Sequence, residues 1–254
     1  MRIQLVSYNF GENSSIDRFN ICSEILKTSD ADILFFPGHS LWEGKDIRRL
    51  FEENKGKIIP SVFIEAAGLG FPDKDWIENI GYVIHDNFLK TKYSPQFFST
   101  SDDVNNNEEL VEAFINELEK NRIWDINHLK IMELRCGEQN ILKNLQGSNN
   151  KVSFRIEERK DLKKRFEKLL KSIDIIYNPT HSPMGNQGKL HLRRVFFSKN
   201  KRIYVSTTSV EARLNLDQFR ARKLQYVFKN GKEIEYKKMT SNKFYLIREY
   251  EIDN

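Results

Sequence analysis

Short runs of consecutive or alternating apolar residues take turns along this chain with stretches whose apolar positions recur every three to four residues. Residues 2–9 alternate as a strand does, and 14–29, "SSIDRFNICSEILKTS", carry Ile16, Phe19, Ile21, Ile25 and Leu26 at helical spacing. The run "ADILFFPG" (31–38) is continuously apolar and closes on Pro-Gly, the pattern of a strand covered on both faces. A short helix is predicted at about 43–54, a strand at about 57–66, and two strands over 81–99 that turn at Asp86-Asn87. An amphipathic helix follows over 106–121, then a strand over 130–136 and a polar loop around 146–153. A charged helix over about 157–172 leads into the strand of "SIDIIYNPTHS" (172–182), a helix over 188–200 and a strand over 202–209. The tail, 225–252, reads as a hairpin around Asn230-Gly231. Strands and helices in alternation, with hairpins mixed in, predict α/β layers built on a mixed sheet or a pair of sheets. No repeat or Pro/Gly/Ser linker interrupts the pattern, so residues 1–254 are expected to form a single domain.

Composition narrows the class. The chain has 254 residues, 39% of them hydrophobic and 30% charged, enough for a substantial core without cross-links. No apolar run reaches the roughly 18 residues that cross a bilayer, and "MRIQLVSYNF" enters a strand with no signal-peptide pattern, so no membrane role and a cytoplasmic location are expected. Two cysteines, Cys22 and Cys136, make no disulfide framework, and Cys22 falls on a helix stripe as a core thiol would. The net charge is +5, but the dense block "RIEERKDLKKRFEKLLK" mixes acids with bases, as a solvated helix face does. No nucleic-acid-binding motif accompanies it, so no specific nucleic-acid partner is expected. Neither a metal-ligand spacing nor a nucleotide-binding Gly fingerprint is present, and no metal or cofactor is expected.

Candidate chemistry lies where apolar strands end. The strands near 33–37, 131–135 and 173–177 run into Gly38-His39, Cys136-Gly137-Glu138 and Asn178-Pro179-Thr180-His181. Ligands in α/β sheets bind at carboxyl ends of strands, so convergence of these ends would gather His39, Cys136, Glu138 and His181 in one cleft. Cys136, beside a glycine and ahead of a helix-like turn, has the position of a displayed nucleophile, although a buried inert thiol fits the same pattern.

The ordered set "ADILFFPG", "LKTKYSP", "MELRCGE" and "DIIYNPTHS", with the arginines and "YVSTTS" that follow, resembles the nitrilase, or carbon–nitrogen hydrolase, superfamily over roughly residues 1–210. The resemblance implies a four-layer αββα sandwich with mixed sheets, a homodimer through the nitrilase-type interface, and a small-molecule amide or nitrile substrate. It makes Cys136 the nucleophile, Glu138 the acid two positions beyond it, and Lys92 the catalytic lysine, with Lys90 as rival. Asn178 and His181 fall in the segment that lines the substrate pocket, and Arg193 and Arg194 match an arginine position. One departure stands out. Where the family reads Phe-Pro-Glu and draws its base, this chain reads Phe36-Pro37-Gly38.

A glycine cannot carry a proton, so His39, Glu43 or Glu138 would have to supply the base. With such a substitute the chain is a cysteine hydrolase of a non-peptide carbon–nitrogen bond working through a thioester. Without one it is an inactive, ligand-binding relative. A metal-dependent phosphoesterase on an αββα frame is a third reading, for which Asn178 and His181 supply only a fragment of the needed ligands. Substrate choice is expected to depend on the loops 66–80, 97–108 and 144–155.

Overall fold

A computed structural model describes residues 1–11, 15–57, 59–67, 78–105, 107–145, 151–211 and 213–253. The chain begins β1 (Arg2–Tyr8), α1 (Ser15–Thr28), β2 (Ile33–Phe35), α2 (Gly44–Asn54), β3 (Ser61–Ala67), β4 (Glu78–His85) and β5 (Phe88–Pro95). It continues through α3 (Ser101–Val104), α4 (Glu108–Asn121), β6 (Ile123–Ile126), β7 (Leu129–Glu133), β8 (Leu142–Asn144) and β9 (Val152–Phe154). It closes with α5 (Lys160–Lys171), β10 (Ile175–Thr180), α6 (Gln187–Phe197), β11 (Ile203–Thr208), α7 (Leu216–Ala221), β12 (Gln225–Lys229), β13 (Lys232–Glu233), β14 (Lys238–Ser241) and β15 (Tyr245–Glu251).

Two large mixed sheets result, ordered β14-β15-β1-β2-β3-β4-β5 and β13-β12-β11-β10-β7-β6. Period-two alternation sorts each strand between two cores. Ile33, Phe35 and Phe63 point inward to meet Ile131, Ile175 and Tyr177 of the other sheet. Leu34, Val62 and Ile64 point outward and are covered by Cys22, Ile25, Ile47 and Leu50 of α1 and α2. On the opposite outer face, Met132, Ile176 and Tyr204 pack against Phe114, Phe166 and Phe197 of α4, α5 and α6. Helix, sheet, sheet and helix form the four-layer αββα sandwich. Each fully buried large apolar side chain contributes roughly 1.5–3 kcal/mol, so the three cores carry most of the stability.

The Asp86-Asn87 turn is present, with φ values of 47° and 62°, the left-handed pair that a two-residue hairpin needs. Several elements differ from expectation. The tail is two hairpins in different sheets: β12 and β13 turn at Asn230-Gly231 in the second sheet, whereas β14 and β15 join the first, β15 lying antiparallel to β1. A short β6 was not expected, nor were the β8–β9 pair and α7. The helix anticipated after Cys136 is one 3-10 turn, Glu138–Ile141. Of the three loops expected to shape a pocket, 68–77 and 146–150 lie outside the described residues.

Candidate active site

The inward faces of β3 and β7 change character at the carboxyl ends. After Ser61 and Phe63 the next inward position of β3 is Glu65, 1% exposed; after Ile131 the next of β7 is Glu133, 3% exposed. The space between the sheets thus passes from an apolar core to a buried layer of charge. Buried carboxylates need partners, and arginine supplies several. Arg135 lies 3.3 Å from Glu133, and Arg122 lies 3.2 Å from Glu138.

Above this layer, chain ends from both sheets meet. The Tyr177 hydroxyl donates to the Phe36 carbonyl, and the Gly38 N–H donates to the Thr180 carbonyl at 3.2 Å. These bonds lock the end of β2 to the end of β10 and bring His39 and His181 together. Their rings stack, centroids 3.5 Å apart and planes 13° from parallel. His181 Nε2 lies 2.8 Å from Glu65 Oε1, and His39 Nε2 lies 3.5 Å from the same oxygen. The Cys136 side chain is close enough to act on the charge of the His181 ring. Imidazole and carboxylate are thus paired at 2.8 Å, with the Cys136 thiol within electrostatic reach of the ring.

Gly38 makes this possible. A Cβ there would sit 2.3 Å from His181 Cδ2 and 3.1 Å from the Thr180 carbonyl carbon. His181 fills the volume that a larger side chain at position 38 would need.

Electrostatics follow from these contacts. Burial pushes His181 down, but Glu65 and Cys136 outweigh it and raise the imidazole to about 10. Burial likewise disfavours the Glu65 carboxylate, yet His181, Arg135 and His39 hold it down at about 2. Near neutral pH the pair is an imidazolium facing a carboxylate. His39 takes a left-handed φ of 53°, a conformation histidine adopts more readily than most residues. Arg18 steadies it by donating to the His39 carbonyl at 2.9 Å, with its guanidinium between the rings of Phe10 and Trp42.

The other expected site residues lie around this centre. Glu138 is fully buried beneath it, its carboxylate accepting from Arg122, from the Arg135 N–H at 2.7 Å and from the Phe97 N–H at 3.1 Å. Asn178 donates to the Leu134 and Arg135 carbonyls and accepts from Gln139 and Tyr204, which shapes the turn leading into Cys136. Gly137, at φ 82°, presses on Ser99 so closely that a Cβ would lie 2.5 Å from its backbone. Glu43 precedes α2 and pairs with Lys45 at 2.5 Å on the surface. Lys92 lies in one cross-strand row with Gly81 and Glu65, and Glu133 fills the space over Gly81. The Lys92 ammonium donates to the Ile123 carbonyl and sits 4.5 Å from the Trp124 ring centre. Lys90 is exposed.

Cys22 is the core thiol expected of it, 2.9 Å from the Tyr8 hydroxyl and pushed up to about 12 by burial. Glu65 was not among the expected residues. Its signal was an acid in the otherwise apolar strand "SVFIEAA", on the face shared with Phe63.

Among the described residues, His39, Glu65 and His181 are the one group whose metal-type donor atoms all lie within 4.8 Å of one another. A ring nitrogen binds a metal in the ring plane at about 2.0–2.1 Å. Two nearly parallel rings separated by 3.5 Å cannot both point at one ion, so one ring would have to turn. As they stand, both rings face Glu65.

The chain is similar in fold to solved structures of the carbon–nitrogen hydrolase, or nitrilase, superfamily. A carbon–nitrogen hydrolase superfamily protein from Xanthomonas campestris, with an arsenic adduct in its active site, matches at TM-score 0.54 and 10% identity over 99% of this chain and 90% of its own. A mutant of the amidase from Nesterenkonia sp. AN1, with acrylamide added to its active-site cysteine, matches at TM-score 0.58 and 9% identity over 100% and 93%. A glutamine-dependent NAD(+) synthetase from Cytophaga hutchinsonii matches at TM-score 0.54 and 13% identity over 92% of this chain and 40% of that one. No protein-family model and no curated protein matches the chain. No helix among the described residues is long and apolar enough to cross a membrane.

Proposed function

We propose that the protein is a cysteine-dependent hydrolase of a non-peptide carbon–nitrogen bond in a small amide, nitrile or carbamoyl compound, with Cys136 as nucleophile and His181 as proton carrier. The observation that supports this best is the pairing of His181 with Glu65 at 2.8 Å, with His181 in the volume freed by Gly38 and within electrostatic reach of Cys136. The thiolate is the reactive form of a cysteine. For an amide, the thiolate of Cys136 adds to the carbonyl carbon and the tetrahedral intermediate collapses as His181 protonates the departing nitrogen. Ammonia or an amine leaves and a thioester remains. Neutral His181 then takes a proton from water, the resulting hydroxide attacks the thioester, and the acid departs as the thiolate and imidazolium re-form. Glu65 stays ionised throughout and orients the ring, the role of the carboxylate in a triad. His39 packs on the ring face and shares Glu65, which makes it a positioning residue. Lys92 and Glu138 belong to the charged layer below. A homodimer and a cytoplasmic location remain part of the same proposal.

The test is turnover of a panel of primary amides, nitriles and carbamoyl compounds by the wild type, Cys136→Ala and His181→Asn, with mass spectrometry of the acylated protein. The expected result is an acyl adduct on Cys136 in the wild type and loss of turnover in both variants. Undiminished hydrolysis by folded Cys136→Ala would end the proposal. Substrate binding without turnover in any form would mark an inactive relative.

A further inference from the structure

The chain's excess of positive charge is concentrated in its tail. Residues 220–248 hold nine lysines and arginines against two glutamates, more than the net charge of +5 carried by all 254 residues. The acids that follow, Glu249 and Glu251, alternate to the opposite face of β15 from Arg248 and Tyr250. This stretch runs from the end of α7 through both tail hairpins, which form the edges of the two large sheets. Between them lies a groove of about 740 Å³, lined by residues 220–223, by 233–236 and by Arg248 and Tyr250 of β15.

The walls of the groove are tied together and basic. Arg248 is 7% exposed and donates through Nη2 to the Arg220 and Arg222 carbonyls at 3.2 and 3.4 Å, which joins β15 to the end of α7. Arg220 Nε donates to Ser241 Oγ at 2.7 Å and joins the same helix to β14. Of the two glutamates along the groove, Glu233 is held by Lys223 at 2.9 Å. Arg220, Arg222 and Arg248 then stand against Glu235 alone, and the exposed Lys237 and Lys238 extend the positive rim. Lysines on an edge strand guard it against pairing with other strands, and Lys238 on β14 would do that by itself. The arginines lie off the edge and inside the groove, where that role does not apply.

The groove also presents an aromatic ring. Tyr236 is 45% exposed, and the Arg248 guanidinium lies 5.1 Å from its ring centre, a cation–π contact that holds the ring in place. An exposed ring held between basic walls combines a stacking platform with an electrostatic funnel. A phosphate chain can follow the arginines and lysines while an unpaired base lies on Tyr236. The recessed shape suits a strand entering the groove better than a lipid surface lying across it.

We infer that this groove binds single-stranded nucleic acid without regard to sequence, with phosphates on Arg220, Arg222, Lys237 and Lys238 and a base stacked on Tyr236. The inference is separate from the reading of Cys136 as a nucleophile, and either can fail without the other.

Fluorescence anisotropy of the full chain with a labelled oligouridylate of about 12 nucleotides, within the usual site size, tests it. Three to five phosphate contacts at about 0.7 each give a slope of log Kobs on log salt of about −2 to −3.5. Tyr236→Ala should weaken binding about fivefold or more, and Tyr236→Phe should bind as the wild type does. Arg222→Ala combined with Lys238→Ala should weaken binding several-fold and flatten the salt slope by roughly 1.4. Lys164→Ala combined with Lys168→Ala, which removes two exposed charges from α5, should leave binding as it is in the wild type. Absence of binding at about 50 mM salt overturns the inference. Equal affinity for polyphosphate or for a duplex of the same length also overturns it, since either marks attraction of charge without stacking. Tyr236-dependent binding to phosphatidylserine vesicles, with none to the oligonucleotide, overturns it in favour of a membrane surface.

Discussion

Glu65→Gln removes one charge and almost no volume, which makes it the sharpest probe of the site. In the wild type, Glu65 sits at about 2 against an ordinary 4.5, and His181 at about 10 against an ordinary 6.5. At about 1.4 kcal/mol per pH unit, the carboxylate side corresponds to about 3 kcal/mol of favourable interaction. Burial opposes both shifts, Arg135 and His39 share in the carboxylate side and Cys136 in the imidazole side, so about 3 kcal/mol is the order of the Glu65–His181 pairing. Removing it should lower the His181 midpoint from about 10 to about 8 or below. At pH 9 the wild-type ring is then about nine-tenths protonated and the variant ring about one-tenth, a difference of about tenfold in the proton available to the leaving nitrogen. The assays are NMR titration of the His181 ring and kcat/KM for an anilide between pH 6 and 10. The upper limb of the profile should move from about 10 to about 8, with near-equal rates at pH 6. A phenyl ester, whose leaving group needs no proton, should show little of the effect. The melting temperature should fall by roughly 6–12 °C, from about 3 kcal/mol at 2–4 °C for each. A folded Glu65→Gln variant whose His181 still titrates at about 10 would refute the assignment of Glu65 as its partner.

Gly38→Ala should force the His181 ring away from Glu65, at about 1–3 kcal/mol of stability and roughly a hundredfold in kcat; wild-type kcat together with an unmoved His181 titration would contradict this. Glu138→Gln should cost about 3 kcal/mol in urea unfolding because it strands the buried Arg122 charge, while kcat of the folded protein changes little; a selective loss of kcat would place Glu138 in the reaction. Lys92→Met should lower stability by about 1 kcal/mol through its lost bond to Ile123 and leave turnover measurable, whereas abolished turnover in a folded variant would make the ammonium catalytic. The pH–stability profile has two limbs. His181, raised by folding, contributes fully below 6.5 and loses its contribution as pH rises through about 10; Glu65, lowered by folding, contributes fully above 4.5 and loses it as pH falls through about 2. Melting temperatures from pH 2 to 10 should show both limbs in the wild type, whereas Glu65→Gln should lose the acid limb and end its weaker alkaline limb at about 8 or below.

The sandwich was legible wherever the apolar pattern was long. "ADILFFPG" and "SIDIIYNPTHS" read as buried strands because covered sheets leave no polar face, and α4 and α5 read as helices from their stripes. The missed elements are short: β6 has four residues, and β8 and β9 three each, too few for a period to emerge. The divided tail was hidden for a different reason. Its two hairpins carry similar patterns, and sheet membership depends on β15 pairing with β1, a contact between the two ends of the chain. At the site, Cys136, His39 and His181 could be located because each follows a recognisable strand. Their partnership could not, because Glu65 comes from a fourth strand and the match between Gly38 and His181 spans about 140 residues of sequence.

The missing acid at position 38 therefore has a steric meaning. A side chain there and the imidazole at 181 compete for one volume, so the glycine and the histidine work as a pair, and neither alone would build this centre. The exchange also changes the chemistry available. A lone carboxylic acid beside a thiol must release its own proton before it can accept another. An imidazolium already balanced by a separate buried carboxylate can protonate a leaving nitrogen directly. That division of labour needs a second acid on a neighbouring strand, and Glu65 is where the inward face of β3 provides one. In the proposed reaction the base expected at the end of β2 comes instead from the end of β10, with the carboxylate of Glu65 one strand away to hold it in its charged form.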